Sequence, residues 1–200
     1  MRFQKAQPPG AEWAFSICGD IGRPAHKTPG DGAVHTNDRN ASSDFHIRRA
    51  TENDATGILH CLRMAFEAYR NSYTPGAFHD TVLSQEAFQQ RLSSMRILIA
   101  LEGDNQVVGT VSCMLVNSDE GHLRGMAVLP EWQGRGIAEK LLQSAEAELA
   151  SRKCSRITLD TTEPLQRAMR FYERNGYRAS GKITDFFGMP LHGYVKELRD

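Results

Sequence analysis

The sequence predicts a mixed α/β (α+β) domain whose sheet combines antiparallel hairpins with one parallel crossover. Three observations carry that prediction. Residues 96–101 (RILIAL) and 106–116 (QVVGTVSCMLV) are extended runs facing each other across the polar turn Glu102-Gly103-Asp104-Asn105. A strongly amphipathic stretch separates a strand at 122–129 from another at 156–160, as a crossover requires. Two further extended runs close the chain, giving the order β-α-α-β-β-β-α-β-α-β-β.

Taken in order, residues 45–49 (FHIRR) alternate and read as a strand. Thr51 opens a helix, with Asp54 at the fourth position of a capping-box-like start and Ile58, Leu62, Ala65, Phe66 and Tyr69 on one face. Pro75-Gly76 breaks that pattern, so 71–83 reads as a loop before a second helix at 84–93 with Ala87, Phe88 and Leu92 inward. After the hairpin, Asn117 to Gly121 is a turn into the third strand of a meander. The helix at 137–152 places Ile137, Leu141, Leu142, Ala145 and Leu149 on one face. Pro164 suits the first turn of a last helix, which stops at Asn175-Gly176. Strands at 178–187 and 192–198 follow.

Residues 1–43 read differently. Half of the eight prolines lie there among five glycines, and no apolar period survives beyond the patch from Trp13 to Cys18. Such a segment cannot bury enough surface to offset its backbone entropy, so it is expected to be a flexible leader before a domain at 44–200. A docking peptide anchored by Trp13 and Phe15 is the other reading.

Lys plus Arg equals Asp plus Glu at 24 each, which argues against a nucleic-acid binder and against a polybasic membrane handle. Cys18, Cys61, Cys113 and Cys154 are far apart with no Cys-x-x-Cys pair, so neither a zinc ribbon nor a disulfide framework is expected. The histidines show no ligand spacing, and no metal is expected. With neither a secretory signal nor a membrane span, the expected setting is the cytoplasm.

The informative stretch is 123–142, LRGMAVLPEWQGRGIAEKLL. Gly134 and Gly136 sit where a strand-to-helix loop meets a helix N-terminus, whose unpaired N–H groups and positive dipole end suit a pyrophosphate, with Gln133 and Arg135 nearby. A Walker loop would need Gly-Lys-Ser/Thr, which is absent. A dinucleotide loop would need its glycines directly after the strand; here Pro130, Glu131 and Trp132 intervene and Glu139 takes the place of the small third residue, with only Asp160 at the next strand end in its favour.

The run Ala127-Val128-Leu129-Pro130 followed by Gln-x-x-Gly-x-Ala (Gln133 to Ala138) and a helix resembles the acyl-CoA signature of the GNAT acetyltransferase superfamily. A second segment, Ala168 to Tyr177 (AMRFYERNGY), resembles that superfamily's Ala-x-x-hydrophobic-Tyr-Glu-x-x-Gly-Phe/Tyr motif at the usual separation. The likeness covers the last three-quarters of the chain and agrees with the element order.

That resemblance implies transfer of an acetyl group from acetyl-CoA, a cosubstrate, to an amine by direct attack in a ternary complex. It implies that Met126, Ala127 and Val128 bind the pantetheine arm in the manner of an added strand. It implies that the loop Gln133, Gly134, Arg135, Gly136, Ile137, Ala138 and Glu139 holds the pyrophosphate, and that Tyr172 protonates the departing thiolate. Many relatives carry a glutamate six residues before the valine matching Val128; His122 stands there, either as the base or as a solvated residue beside a turn, with Glu120 as fallback. Leu165 replaces an asparagine common in the family. Tyr73 and Phe78 fall in the region that walls the acceptor site of relatives, and are expected to touch the acceptor. The acceptor, small molecule or protein, is left open, as is oligomeric state, although relatives often form homodimers. The reading from another class is a non-catalytic acyl-CoA-binding or sensing module.

Overall fold

The computed structural model describes residues 45–103 and 105–198, so the expected leader at 1–43 lies outside the described residues. One seven-stranded sheet organises them, with strand order β1-β2-β3-β4-β5-β7-β6. The strands are β1 (Phe45–Arg49), β2 (Arg96–Glu102), β3 (Gln106–Leu115), β4 (Glu120–Val128), β5 (Arg156–Thr162), β6 (Arg178–Phe186) and β7 (Met189–Glu197). Every neighbouring pair is antiparallel except β4 and β5. That parallel pair is joined by helix α4 (Ile137–Ser151), the expected crossover.

Thr51 and Asp54 form the capping box, and Arg48 reinforces it by gripping the Asp54 carboxylate at 2.7 and 2.8 Å. Three helices precede β2, one more than the sequence suggests: α1 (Ala55–Glu67), α2 (Pro75–Val82) and α3 (Gln85–Ser94). The loop expected at 71–83 is corrected here. Pro75 does end the pattern of α1, but it also occupies the first turn of a new helix, where proline lacks only an N–H that would go unused. Thr74 caps that helix by accepting from the Ala77 N–H at 3.3 Å. Tyr73, Phe78 and His79 are therefore held on or beside a helix rather than in a loop.

Alternation along β4 shows which helices lie on which face. A Cβ on Gly121 would meet Leu149 of α4 at 2.6 Å, so Gly121 faces α4. Arg124, of opposite parity, pairs with Asp80 of α2 at 2.9 Å. Helix α5 (Gln166–Arg174) shares the α4 side, since its Glu173 accepts from Tyr194 and Glu146 of α4 accepts from Lys196, both on β7. The core fills both faces, with Phe66, Phe88, Ile99, Leu141, Leu159 and Phe186 sealed inside it. Cys61, Cys113 and Cys154 are free thiols buried in the domain. No helix among the described residues is long and apolar enough to cross a membrane.

Candidate active site

Strands β4 and β5 are paired only through Glu120–Arg156, Gly121–Ile157 and His122–Thr158. Beyond His122 they part, leaving a fork whose β4 arm runs through Met126, Ala127 and Val128, all buried. On its other edge β4 stays paired with β3, but the register slips between Thr110 and Ser112. The slip lies at Gly125, whose φ of +63° a side chain would strain and whose missing Cβ leaves room for the Arg91 guanidinium at 2.7 Å. The fork thus exposes an arm of strand backbone to an extended ligand, as strand addition requires.

The fork leads to the glycine loop. Gln133 donates its side-chain amide to the Val128 carbonyl at 3.0 Å, tying the loop to the strand end. Gly136 is the N-cap of α4 with φ +78°, and no side chain caps the helix. Nothing lies within 4 Å of where its Cβ would be, so glycine is needed there for torsion, not for room. Ile137 anchors the helix start in the core while Gly134, Arg135 and Glu139 are exposed and Ala138 is half-buried. Arg135 lies over the Trp132 ring at 4.3 Å, which holds a cation beside the uncapped N–H groups. This donor set fits a diphosphate.

Tyr172 comes from α5, on the opposite face from Arg124, and is sealed between Phe171 and Tyr177, each 5.6 Å away ring to ring. Burial raises its phenol pKa, keeping the proton in place at neutral pH. Leu165, where relatives often carry asparagine, is fully buried and serves the core.

On the other face, a cavity of about 570 Å³ opens over β4, β5, β7 and β6. His122, Thr158, Asp160, Lys182 and Gly193 line it, with Glu120 and Arg156 at one end. The His122 Nδ1 is 3.0 Å from the Thr158 hydroxyl and its Nε2 is 3.9 Å from Asp160. Burial, helped by Arg124 and Lys182, lowers the His122 pKa to about 3, so the ring is neutral near pH 7 and a weak proton acceptor by itself. Burial also raises Asp160 to about 6, against the pull of Lys182 and Arg124.

The two expected acceptor contacts both lie away from the cavity that holds His122. Tyr73 turns its hydroxyl to Thr162 at the end of β5, at 2.6 Å. Phe78 instead lies under the Arg70 guanidinium, in a second cavity of about 620 Å³ beside α1 and α2 that Tyr73 also lines. Sequence reasoning missed Asp160 as a site residue and missed the buried arginines beside the bulge. Both depend on sheet register, and the available signal was an acid at a strand end directly after the crossover.

Residues 60–177 match the model of the acetyltransferase (GNAT) family. Uncharacterised N-acetyltransferases of Mycobacterium bovis and Mycobacterium tuberculosis are 30% identical over 111 residues, covering 54% of this chain and 70% of theirs. Among solved structures, the PaiA N-acetyltransferase of Thermoplasma acidophilum in complex with coenzyme A aligns over 77% of this chain and 99% of its own, at TM-score 0.65 and 17% identity. A GNAT family acetyltransferase of Elizabethkingia anophelis with acetyl-CoA bound aligns over 78% and 100%, at TM-score 0.56 and 16% identity.

Proposed function

Because the chain belongs to the GNAT acetyltransferase family, we propose that it moves an acetyl group from acetyl-CoA to a primary amine by direct attack in a ternary complex. The observation that carries this reading is the fork between β4 and β5 leading into the glycine loop at the start of α4. Structural neighbours with coenzyme A or acetyl-CoA bound support the choice of cosubstrate. The backbone from Met126 to Val128 would hold the pantetheine arm, and the N–H groups from Gln133 to Glu139, with Arg135, would hold the diphosphate. Fixing the thioester in the fork aligns its carbonyl for an amine entering from the cavity over β5, which removes most of the entropy of a bimolecular step. Tyr172, protonated at pH 7, would donate to the sulfur as the C–S bond breaks. Buried, reduced thiols fit a cytoplasmic setting.

Titration calorimetry with coenzyme A, paired with thiol release from acetyl-CoA across a panel of amines, tests the reading. Binding with release supports it; binding without release would favour a sensing module. Tyr172→Phe should lower single-turnover rates by about 100-fold with coenzyme A affinity little changed, the usual size for loss of a general acid. An unchanged rate would remove Tyr172 from the mechanism.

A further inference from the structure

The cavity floor holds a row of neighbouring polar groups. Thr158 has one hydroxyl hydrogen, and its available acceptors are Glu120 Oε1 and the Gly121 carbonyl, each at 3.2 Å. Neither group donates, so a Thr158 hydroxyl turned to either of them accepts from the His122 Nδ1–H. In the neutral ring that leaves the Nε2 lone pair directed toward Asp160 Oδ2 at 3.9 Å. At the far end, Glu120 is paired with Arg156, whose side chain is half exposed. Close polar contacts thus join His122, Thr158 and Glu120, with Asp160 3.9 Å from the near end and solvent at the far end.

Asp160 stands at the mouth of the fork, two residues beyond the last β4–β5 pair and on the cavity face. Opposite it on β7 is Gly193, and the space a Cβ there would fill is taken by Ser180 Oγ at 2.7 Å and Asp160 Oδ1 at 3.3 Å. Its charged or titratable neighbours are His122 and Arg124 from β4 and Lys182 from β6, with Asp80 of α2 and Arg91 of α3 acting through Arg124. Tyr73, ahead of α2, hydrogen-bonds Thr162 two residues along β5.

We propose that Asp160 takes the proton shed by the acceptor amine, and that His122, Thr158 and Glu120 carry it from the cavity floor to solvent. This rests on the acyl-transfer reading of the fork. As the C–N bond forms and the C–S bond breaks, the proton on nitrogen passes to the Asp160 carboxylate while the leaving sulfur takes the Tyr172 proton. A concerted shift then moves a proton from Asp160 to His122 Nε2, from Nδ1 to the Thr158 oxygen, and from Thr158 to Glu120, so no free imidazolium accumulates. Glu120 releases its proton to water, exchange through cavity water returns the His122 hydrogen from Nε2 to Nδ1, and Tyr172 is reprotonated from water. Asp160 is a catalytic residue in this scheme; His122, Thr158 and Glu120 are positioning and relay groups.

The test has two arms on the full chain, the first without ligand and the second with acetyl-CoA. In the first, long-range proton–nitrogen NMR of His122 should show a neutral ring protonated on Nδ1 from about pH 5 to about pH 8, and the Asp160 carboxyl carbon should titrate near 6, a step absent in Asp160→Asn. An Nε2–H tautomer, or no Asp160 titration in that range, overturns the relay whether or not an acceptor is known. In the second, acetyl transfer is followed with spermidine, phenethylamine and an alanine-initiated tripeptide. Asp160→Asn should lower kcat/KM by about 100-fold and abolish the acid limb of the pH profile. Thr158→Val should lower kcat by about tenfold at unchanged KM, with Thr158→Ser restoring it. An Asp160→Asn enzyme that keeps the limb overturns the proposal. Failure to bind coenzyme A would instead sink the acyl-transfer reading and leave the NMR result standing.

Discussion

The two sides of the fork are built by different means. On the side we assign to the cosubstrate, a contiguous stretch from Met126 to Glu139 supplies mostly backbone: a strand edge, two glycines and an uncapped helix start. On the side we assign to the acceptor, the floor is assembled from residues on β4, β5, β7 and β6, brought together only by strand pairing. The first, being mostly backbone, tolerates change in most of the side chains around it. The second contains a carboxylate and an imidazole held in their less soluble neighbourhoods by burial, a state that costs stability and so points to function.

That difference predicts opposite pH behaviour within one floor. The folded pKa of Asp160, near 6, is raised above its ordinary 3.8, so its contribution is full below about pH 4 and is lost as pH rises through 6. The folded pKa of His122, near 3, lies below its ordinary 6.5, so its contribution is full above about 6.5 and is lost as pH falls through 3. Between these limits the two slopes oppose each other. Asp160→Asn removes one of them: relative to the wild type, urea unfolding should show the variant gaining about 3 kcal/mol between pH 4 and pH 7. A variant that is more stable at pH 7 yet poorly active is the expected signature. Parallel stability curves for the two proteins would mean that Asp160 carries no strained charge.

A smaller effect concerns the buried arginines at the bulge. Arg124 and Arg91 are both nearly inaccessible, and burial with mutual repulsion lowers Arg91 to about 9. Asp80 is the carboxylate paired with Arg124 and the one that offsets the charge on Arg91. Because Asp80 is itself partly solvated, Asp80→Ala should cost roughly 2 kcal/mol, below the range for a fully buried pair. The loss should appear in the unfolding midpoint and in slower acceptor turnover, with coenzyme A affinity near wild type. A matching loss of coenzyme A affinity would show that the two sides are not separable.

The same division explains what could be read from the sequence. The sheet, the crossover, α1, α4 and α5 follow from apolar periods that burial then enforces, as the sealed face Ile137, Leu141, Leu142, Ala145 and Leu149 shows. The glycine loop was legible because its chemistry lies within consecutive residues. Helix α2 was not, because its eight residues carry Pro75-Gly76 at the start, and that pair signals a break equally well. Asp160 was not, because its role depends on Gly193, 33 positions away, leaving room for it, and on His122 across the fork. His122 was found by its position relative to Val128, but its low basicity comes from burial, which no local spacing encodes.

The smallest effect separates the two sides most cleanly, because it uses the same substitution on each. Gly136→Ala adds a methyl into open space but forces alanine to φ +78°, costing on the order of 1–2 kcal/mol of torsional strain. If the loop relaxes to avoid that strain, coenzyme A affinity should fall by about tenfold while the Asp160 titration stays near 6. Gly193→Ala has ordinary torsions, since its φ lies outside the left-handed region, but its methyl would meet Ser180 Oγ at 2.7 Å and Asp160 Oδ1 at 3.3 Å. The Ser180 hydroxyl must give way, and the Asp160 titration should shift while coenzyme A affinity holds. Calorimetry with coenzyme A and carboxyl-carbon NMR on both variants read the two outcomes independently. A crossed result, with Gly136→Ala moving the carboxyl titration or Gly193→Ala weakening coenzyme A, would mean that backbone strain in the loop and side-chain packing on the floor are coupled through β4.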